Sequence, residues 1–385
     1  MMIRRTFLSS GLLAGAALAI AATVSAAQAR DQWTKAQASG WYAQQPWMVG
    51  ANFTPATAIN QLEMFQAETW DPKRIDLELG WAEKIGMNVM RVNLHHLLWE
   101  TDAAGLKRRM DEFMTIAARH HIKTLWIFFD SCWDPDPHAG PQHPPIPGVH
   151  NSGSAQSPGA ARLKDAAQYG KLEAYVKDIV TTFARDERVL GWDVWNEPNN
   201  PGGGNYAPTP DKNKYVALLL PRVFAAARSA NPIQPLTSGV WIGDHWDDQS
   251  TLDAVEKIQI AQSDVLSFHD YSWPETFERR ANQMLGYGRP VLCTEYMARG
   301  NGSTFDGTLP TGKRLNIAMF NWGFVDGKSQ TRLPWDSWKK PYTYEEPTIW
   351  FHEVFHGDGK PYRQAEVDLI RRLSAAPKGV VPAAR

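Results

Sequence analysis

Cysteine is nearly missing from this sequence, charge of neither sign is in excess, and no long apolar run follows the N-terminal segment. Each shortage removes a class of protein. Two cysteines, Cys132 and Cys293, in 385 residues exclude a disulfide scaffold and the cysteine-rich zinc modules. They fall on the third and seventh of the strand-like segments described below, far apart around a ring, and are read as free thiols. A formal net charge of −1 offers no electrostatic footprint for nucleic acid or for an anionic membrane surface. No later stretch approaches the roughly 20 apolar residues of a membrane-spanning helix.

What the chain has in quantity is aromatic side chains, 17 Trp, 11 Tyr and 15 Phe. Most large aromatics belong to the core of any protein. Their faces also stack on the apolar C–H faces of sugar rings, so the enrichment suits a carbohydrate binder. The N-terminus has the layout of a secretory leader: Met1-Met2-Ile3-Arg4-Arg5, an apolar run of small residues from Gly11 to Val24, then Ala27-Gln28-Ala29 as a cleavage site. Arg4-Arg5-Thr6-Phe7-Leu8 resembles the twin-arginine export signal. Residues 1–29 are therefore read as a leader, and residues 30–385 as the mature periplasmic or secreted protein.

Strand-like and helix-like segments alternate along the mature chain, which points to parallel β/α architecture. Strands are predicted at Met48–Asn52, Asn88–Val92, Thr124–Phe129, Val189–Val194, Pro235–Trp241, Val265–His269, Pro290–Cys293 and Ile317–Trp322. The clearest helix places Leu172, Tyr175, Val176, Ile179, Val180 and Phe183 at helical spacing. Eight such units in order predict a (β/α)8 TIM barrel in one domain. Three long loops, 131–163, 199–212 and 323–348, all follow strands, on the face where barrel enzymes keep their active sites. Such loops are expected to wall a pocket or short cleft.

The chemistry-bearing motifs lie at strand ends. Trp195-Asn196-Glu197-Pro198 closes the fourth strand, and Thr294-Glu295-Tyr296 closes the seventh. Two carboxylates at the C-terminal ends of separate strands are what acetal hydrolysis needs, one to protonate the leaving oxygen and one to attack the anomeric carbon. On these motifs the sequence resembles the clan A glycoside hydrolases, and most closely family 5, the cellulase and mannanase family. The resemblance covers essentially the whole mature chain. It implies a retaining β-glycosidase with Glu197 as acid/base and Glu295 as nucleophile, without a metal or cofactor. Arg91 matches the arginine that supports the nucleophile, and Asn196 the residue that bonds the sugar 2-hydroxyl. His269 and Tyr271 match the strand-six pair, with Tyr271 touching the nucleophile. Trp322 matches the strand-eight tryptophan under the reacting sugar. Family members usually carry a histidine at the end of strand three, and here Asp130 stands in that place, altering the contacts to that sugar. The substrates implied are β-linked glucan, mannan or xylan, or oligosaccharides cut from them. Position alone makes Trp133, Trp241, His245 and Trp246 further candidates for sugar contact.

Two other readings compete. A carbohydrate-binding protein with a degenerate site would share the aromatics, but it would be expected to have lost one of the two carboxylates. His352-Glu353-Val354-Phe355-His356 is formally the His-Glu-x-x-His signature of zinc peptidases. Pro347 before it and Gly357-Asp358-Gly359 after it allow only a short helix, so a structural turn is expected there. His138, His143 and His150 have no standard metal-site spacing and are read as loop or substrate contacts. Nothing in the sequence sets the oligomeric state.

Overall fold

The computed structural model describes residues 29–382, so the leader expected over residues 1–29 lies almost wholly outside the described residues. The eight strands are β1 (Val49–Asn52), β2 (Val89–Asn93), β3 (Lys123–Ile127), β4 (Val189–Asp193), β5 (Leu236–Thr237), β6 (Leu266–His269), β7 (Val291–Tyr296) and β8 (Ala318–Asn321). All are parallel and pair in the order β5-β4-β3-β2-β1-β8-β7-β6. A bridge between Val240 and Phe268 joins the chain beyond β5 to β6 and nearly closes the ring. With helices between the strands, this is a (β/α)8 barrel. The predicted seven-residue fifth strand shrinks to a two-residue ladder, because Pro235 has no N–H to give and the chain bends away before Val240.

The apolar layers account for the fold. Leu172, Tyr175, Val176, Ile179, Val180 and Phe183 all lie on the buried face of the helix Tyr169–Phe183. Inside the ring, Val89, Leu125, Leu190, Val265, Leu292, Ala318 and Phe320 form a separate apolar cluster at the N-terminal end of the strands, with Ala38, Tyr42 and Met48 packed on it. The first two belong to a helix, Lys35–Gln44, begun by a Thr34/Gln37 capping box. That helix was not foreseen, since its residues show almost no apolar periodicity. It shuts the bottom of the barrel and leaves the other end for the site.

Both strands that carry the candidate carboxylates contain one extra residue. Between Thr124 and Leu125 of β3, the partner β4 advances from Val189 to Gly191. Between Phe268 and His269 of β6, β7 advances from Cys293 to Glu295. The β8 side agrees, with Cys293 opposite Met319 and Tyr296 opposite Asn321. An extra residue breaks the two-residue alternation of side chains. Leu292 faces into the barrel and Tyr296 packs outside on Phe305, and the bulge between them lets Glu295 turn inward.

Candidate active site

Arg91 is the hub of the cavity floor. It sits two residues beyond the inward-facing Val89 on β2, and its side chain is fully buried. Its guanidinium donates to Asp193 Oδ2 from Nε at 3.1 Å and from Nη2 at 2.7 Å. Nη1 donates to Asn52 Oδ1 at 2.7 Å and to Glu295 Oε1 at 2.9 Å, and Nη2 to Asn196 Oδ1 at 2.7 Å. Asn196 in turn donates to Asp130 Oδ1 at 3.1 Å. One permanent cation therefore orients residues from three other strands, β1, β4 and β7, and neutralises buried acid.

Glu197 and Glu295 differ in what touches them. Glu295 accepts from Arg91 through Oε1, and through Oε2 from the Tyr271 hydroxyl at 2.7 Å. Glu197 has no cation in contact. Its Oε2 accepts from Asn200 Nδ2 at 2.6 Å and from the Cys132 thiol at 3.3 Å, and its Oε1 lies 2.8 Å from His269 Nδ1. Burial pushes the Glu197 carboxyl above the usual range, with Asn200 and Cys132 opposing. Burial raises Glu295 as well, the charge of Glu197 adds to the rise, and Arg91 with the Tyr271 hydrogen bond acts to lower it. Of the two, Glu295 is the one held by ion pairing with Arg91, a contact that favours its charged form and that Glu197 lacks. Burial also lowers His269 to about 4, leaving a neutral ring. Its Nε2 is buried without a partner, so the proton is assigned to Nδ1, facing Glu197. The Cys132 thiol is pushed well above its ordinary value by burial and stays protonated.

Glu197, His269 and Glu295 each bring a ligand atom to within 4.8 Å of the others, the sole such cluster among the described residues. A cation could bridge these atoms, but Arg91 already places positive charge on one of the Glu295 oxygens. Glu197 itself has a left-handed backbone, φ +44°, uncommon for a residue with a side chain and characteristic of functional positions. The bonds of Asn196 N to Phe129 O and of Asn200 N to Glu197 O hold that turn.

Above the carboxylates lies an open cavity of about 470 Å³, in the range of small-molecule sites. Trp133, φ +67°, stacks on Trp338 with ring centres 5.3 Å apart and 15° between planes. Trp241, Trp322 and Trp335 complete the aromatic wall. Trp335 also meets the Tyr271 ring edge to face at 5.2 Å.

The sequence matches the family model described as Cellulase (glycosyl hydrolase family 5) over residues 60–340. The chain belongs to glycosyl hydrolase family 5. It is a glycoside hydrolase. Among solved structures it is similar to a subfamily 18 family 5 protein of Streptomyces cattleya in complex with Manβ1-4GlcNAc, at 13% identity and TM-score 0.59 over 87% of this chain and 82% of the other. It is also similar to an exo-β-1,4-mannosidase of Opitutaceae bacterium strain TAV5, at 16% identity and TM-score 0.57 over 85% and 59%. A β-1,4-mannanase of the sea hare Aplysia kurodai matches at 18% identity and TM-score 0.52 over 80% and 96%. At these identities the likeness is one of fold. No curated protein matches significantly.

In this family 5 enzyme the site residues matched to the family's pattern lie at the C-terminal mouth. Arg91, Asp130, Asn196, Tyr271 and Glu295 form one bonded network, Cys132 joins it to the Glu197–His269 pair, and Trp133 and Trp322 line the cavity. Trp241 also lines it, whereas Trp246 is buried under Phe268 and His245 lies exposed outside it. Cys132 is not on β3 as expected but five residues beyond it, where the loop carries its thiol to Glu197. Asp193, Asn52 and Asn200 were missed. The signal for Asp193 was present, an acid inside an otherwise apolar strand. The His352–His356 segment forms no helix. His352 is buried against Trp335 and Tyr271, and His356 packs on Trp350, so the two rings do not converge. His150 lines the cavity with Nδ1 against Leu333 O, and His138 and His143 are exposed.

Proposed function

We propose that residues 30–385 form one catalytic domain, a retaining β-glycosidase exported behind the twin-arginine-type leader to the periplasm or beyond. No described helix is long and apolar enough to cross a membrane. The observation that carries the mechanism is the close approach of two unlike carboxyl groups, with ligand atoms within 4.8 Å. That suits the separation of about 5–5.5 Å for retention rather than the roughly 6.5–9.5 Å that admits a water for inversion.

Glu295, charged and aimed by Arg91 and Tyr271, attacks the anomeric carbon. Glu197 gives its proton to the departing glycosidic oxygen, and a glycosyl ester forms on Glu295. With Glu295 now neutral, the charge beside Glu197 is gone and its proton affinity falls. Glu197 then takes a proton from water as that water displaces Glu295, and the starting configuration is restored. Asn196 is held by Arg91 and Asp130 to bond the sugar 2-hydroxyl, a contact that tightens toward the transition state. Trp322 lies beneath the sugar. The substrates are β-linked glucan, mannan or xylan and their oligosaccharides. β-Mannosides come first among these, because the similar structures include an exo-mannosidase and a mannanase.

The test is mass spectrometry after incubation with 2-deoxy-2-fluoro glycosides of the gluco, manno and xylo series. The expected result is a stable adduct on the peptide carrying Glu295, with one sugar reacting fastest. An adduct on another residue moves the nucleophile, and turnover of the parent glycosides with no adduct from any series removes the covalent mechanism.

A further inference from the structure

A second, smaller chamber opens beside the catalytic cavity. It shares Asp130, Asn151, Ser154 and Trp322 with the cavity but contacts neither Glu197 nor Glu295. At about 40 Å³ it has room for roughly three water molecules, and so for hydroxyl groups but not for another sugar ring. Its walls carry polar atoms with nothing to bond. Glu353 is buried, its Oε1 is held by Thr331 and its Oε2 has no partner. Asn93 Oδ1 is likewise buried and unpartnered. Unmet polar atoms in an interior are unfavourable unless something else meets them.

The loops that wall the chamber are tied to each other. Asn151, from the loop after β3, donates its N–H to Ser329 O, from the loop after β8, at 2.8 Å, and both residues line the chamber. Farther along the same two loops, His150 N bonds Ser337 Oγ at 2.9 Å and Tyr342 N bonds Gly148 O at 2.9 Å. Glu353 is fixed from behind, with Arg299 Nη2 donating to its backbone carbonyl at 2.8 Å and φ at +66°. Burial raises its carboxyl to about 8, so at neutral pH it offers an O–H as well as an acceptor.

The position gives the chamber its meaning, resting on the glycosidase reading above. The leaving group departs on the Glu197 side, where Asn200, Trp241 and the Trp133–Trp338 stack stand. On that reading the far end of the attacked sugar is placed the other way, toward the chamber walls that follow β1, β2 and β8 (Asn52, Asn93, Trp322). We propose that the chamber is a stop for the chain end. It receives the distal hydroxyls of the one sugar held at the carboxylates, Glu353 bonds one of them, and the enzyme removes single residues from the non-reducing end of β-linked oligosaccharides.

The experiment compares a β-1,4-linked tetrasaccharide of the sugar that labels fastest with the same molecule capped at its non-reducing end by a 4-O-benzyl ether. The free substrate should yield monosaccharide and trisaccharide first, and capping should slow turnover at least about 100-fold. Internal cleavage of the capped substrate overturns the proposal while leaving the glycosidase intact. Failure to turn over either substrate and the aryl glycosides overturns the glycosidase reading, and the proposal with it. Glu353→Gln should lower kcat/KM on the aryl glycoside about tenfold, mainly through KM. On the monodeoxy glycoside lacking the contacted hydroxyl it should equal wild type. Equal behaviour on every glycoside overturns the role of Glu353. Asn93→Ala makes the same comparison if Glu353→Gln does not fold.

Discussion

Arg91 has three tasks at one point: it neutralises Asp193, orients Asn196 and pairs with Glu295. Arg91→Met therefore leaves two buried carboxyl groups without their cation. Thermal or urea denaturation should show a loss of about 3–5 kcal/mol, and activity should vanish with it. The same charges set the pH profile. In the proposed mechanism Glu197 acts as an acid only while protonated, and burial lifts its pKa. The alkaline limb of kcat/KM should thus lie above the ordinary carboxylate range, with activity falling as pH rises through it. Cys132→Ala removes one of the two donors that oppose that rise, so its alkaline limb should move to higher pH; a limb unmoved by the change would deny the thiol any part in setting it. Glu197 and Glu295 were legible because each follows an apolar strand in a motif with few other uses. Cys132 and Asn200 were not, since their approach to Glu197 depends on how a loop folds back, and no local pattern records it.

At the scale of the element, the strands were readable and their irregularities were not. Period-two alternation in β7 predicts Thr294 inside and Glu295 outside, and the added residue reverses this locally. Such a bulge leaves no mark in residue type. Close strand packing does leave one. A Cβ on Gly50 would overlap the carbonyl of Val89 on the paired strand, so Gly50→Ala should prevent folding, seen as loss of soluble protein or of near-UV circular dichroism. On the helix Pro72–Lys84, Glu78 is fully buried, paired with Arg74 and bonded by Ala56 N at 3.0 Å. Burial lifts its carboxyl from 4.5 to about 7. The folded state then binds a proton that the unfolded chain has released, so this contribution is present at low pH and lost as pH rises through about 7. The unfolding temperature should fall between pH 5 and pH 8, and Glu78→Gln should flatten that fall.

For the molecule as a whole, the order of eight strands and the face bearing the site followed from alternation and from the three long loops. The bottom closure did not. The helix Lys35–Gln44 holds the barrel by Tyr42, whose hydroxyl donates to Asn316 O at 2.8 Å, rather than by an apolar stripe. Tyr42→Ala should cost about 3 kcal/mol by chemical denaturation with kcat unchanged, since it lies at the end of the barrel away from the carboxylates. The C-terminal segment reaches the same place, where Lys378 Nζ donates to Tyr42 O at 2.8 Å and to Gln45 O at 3.2 Å. Both described ends of the chain thus emerge from the closed floor. A bead, a fused carrier or a surface attached at either end would hold the protein by its base and leave the mouth facing outward.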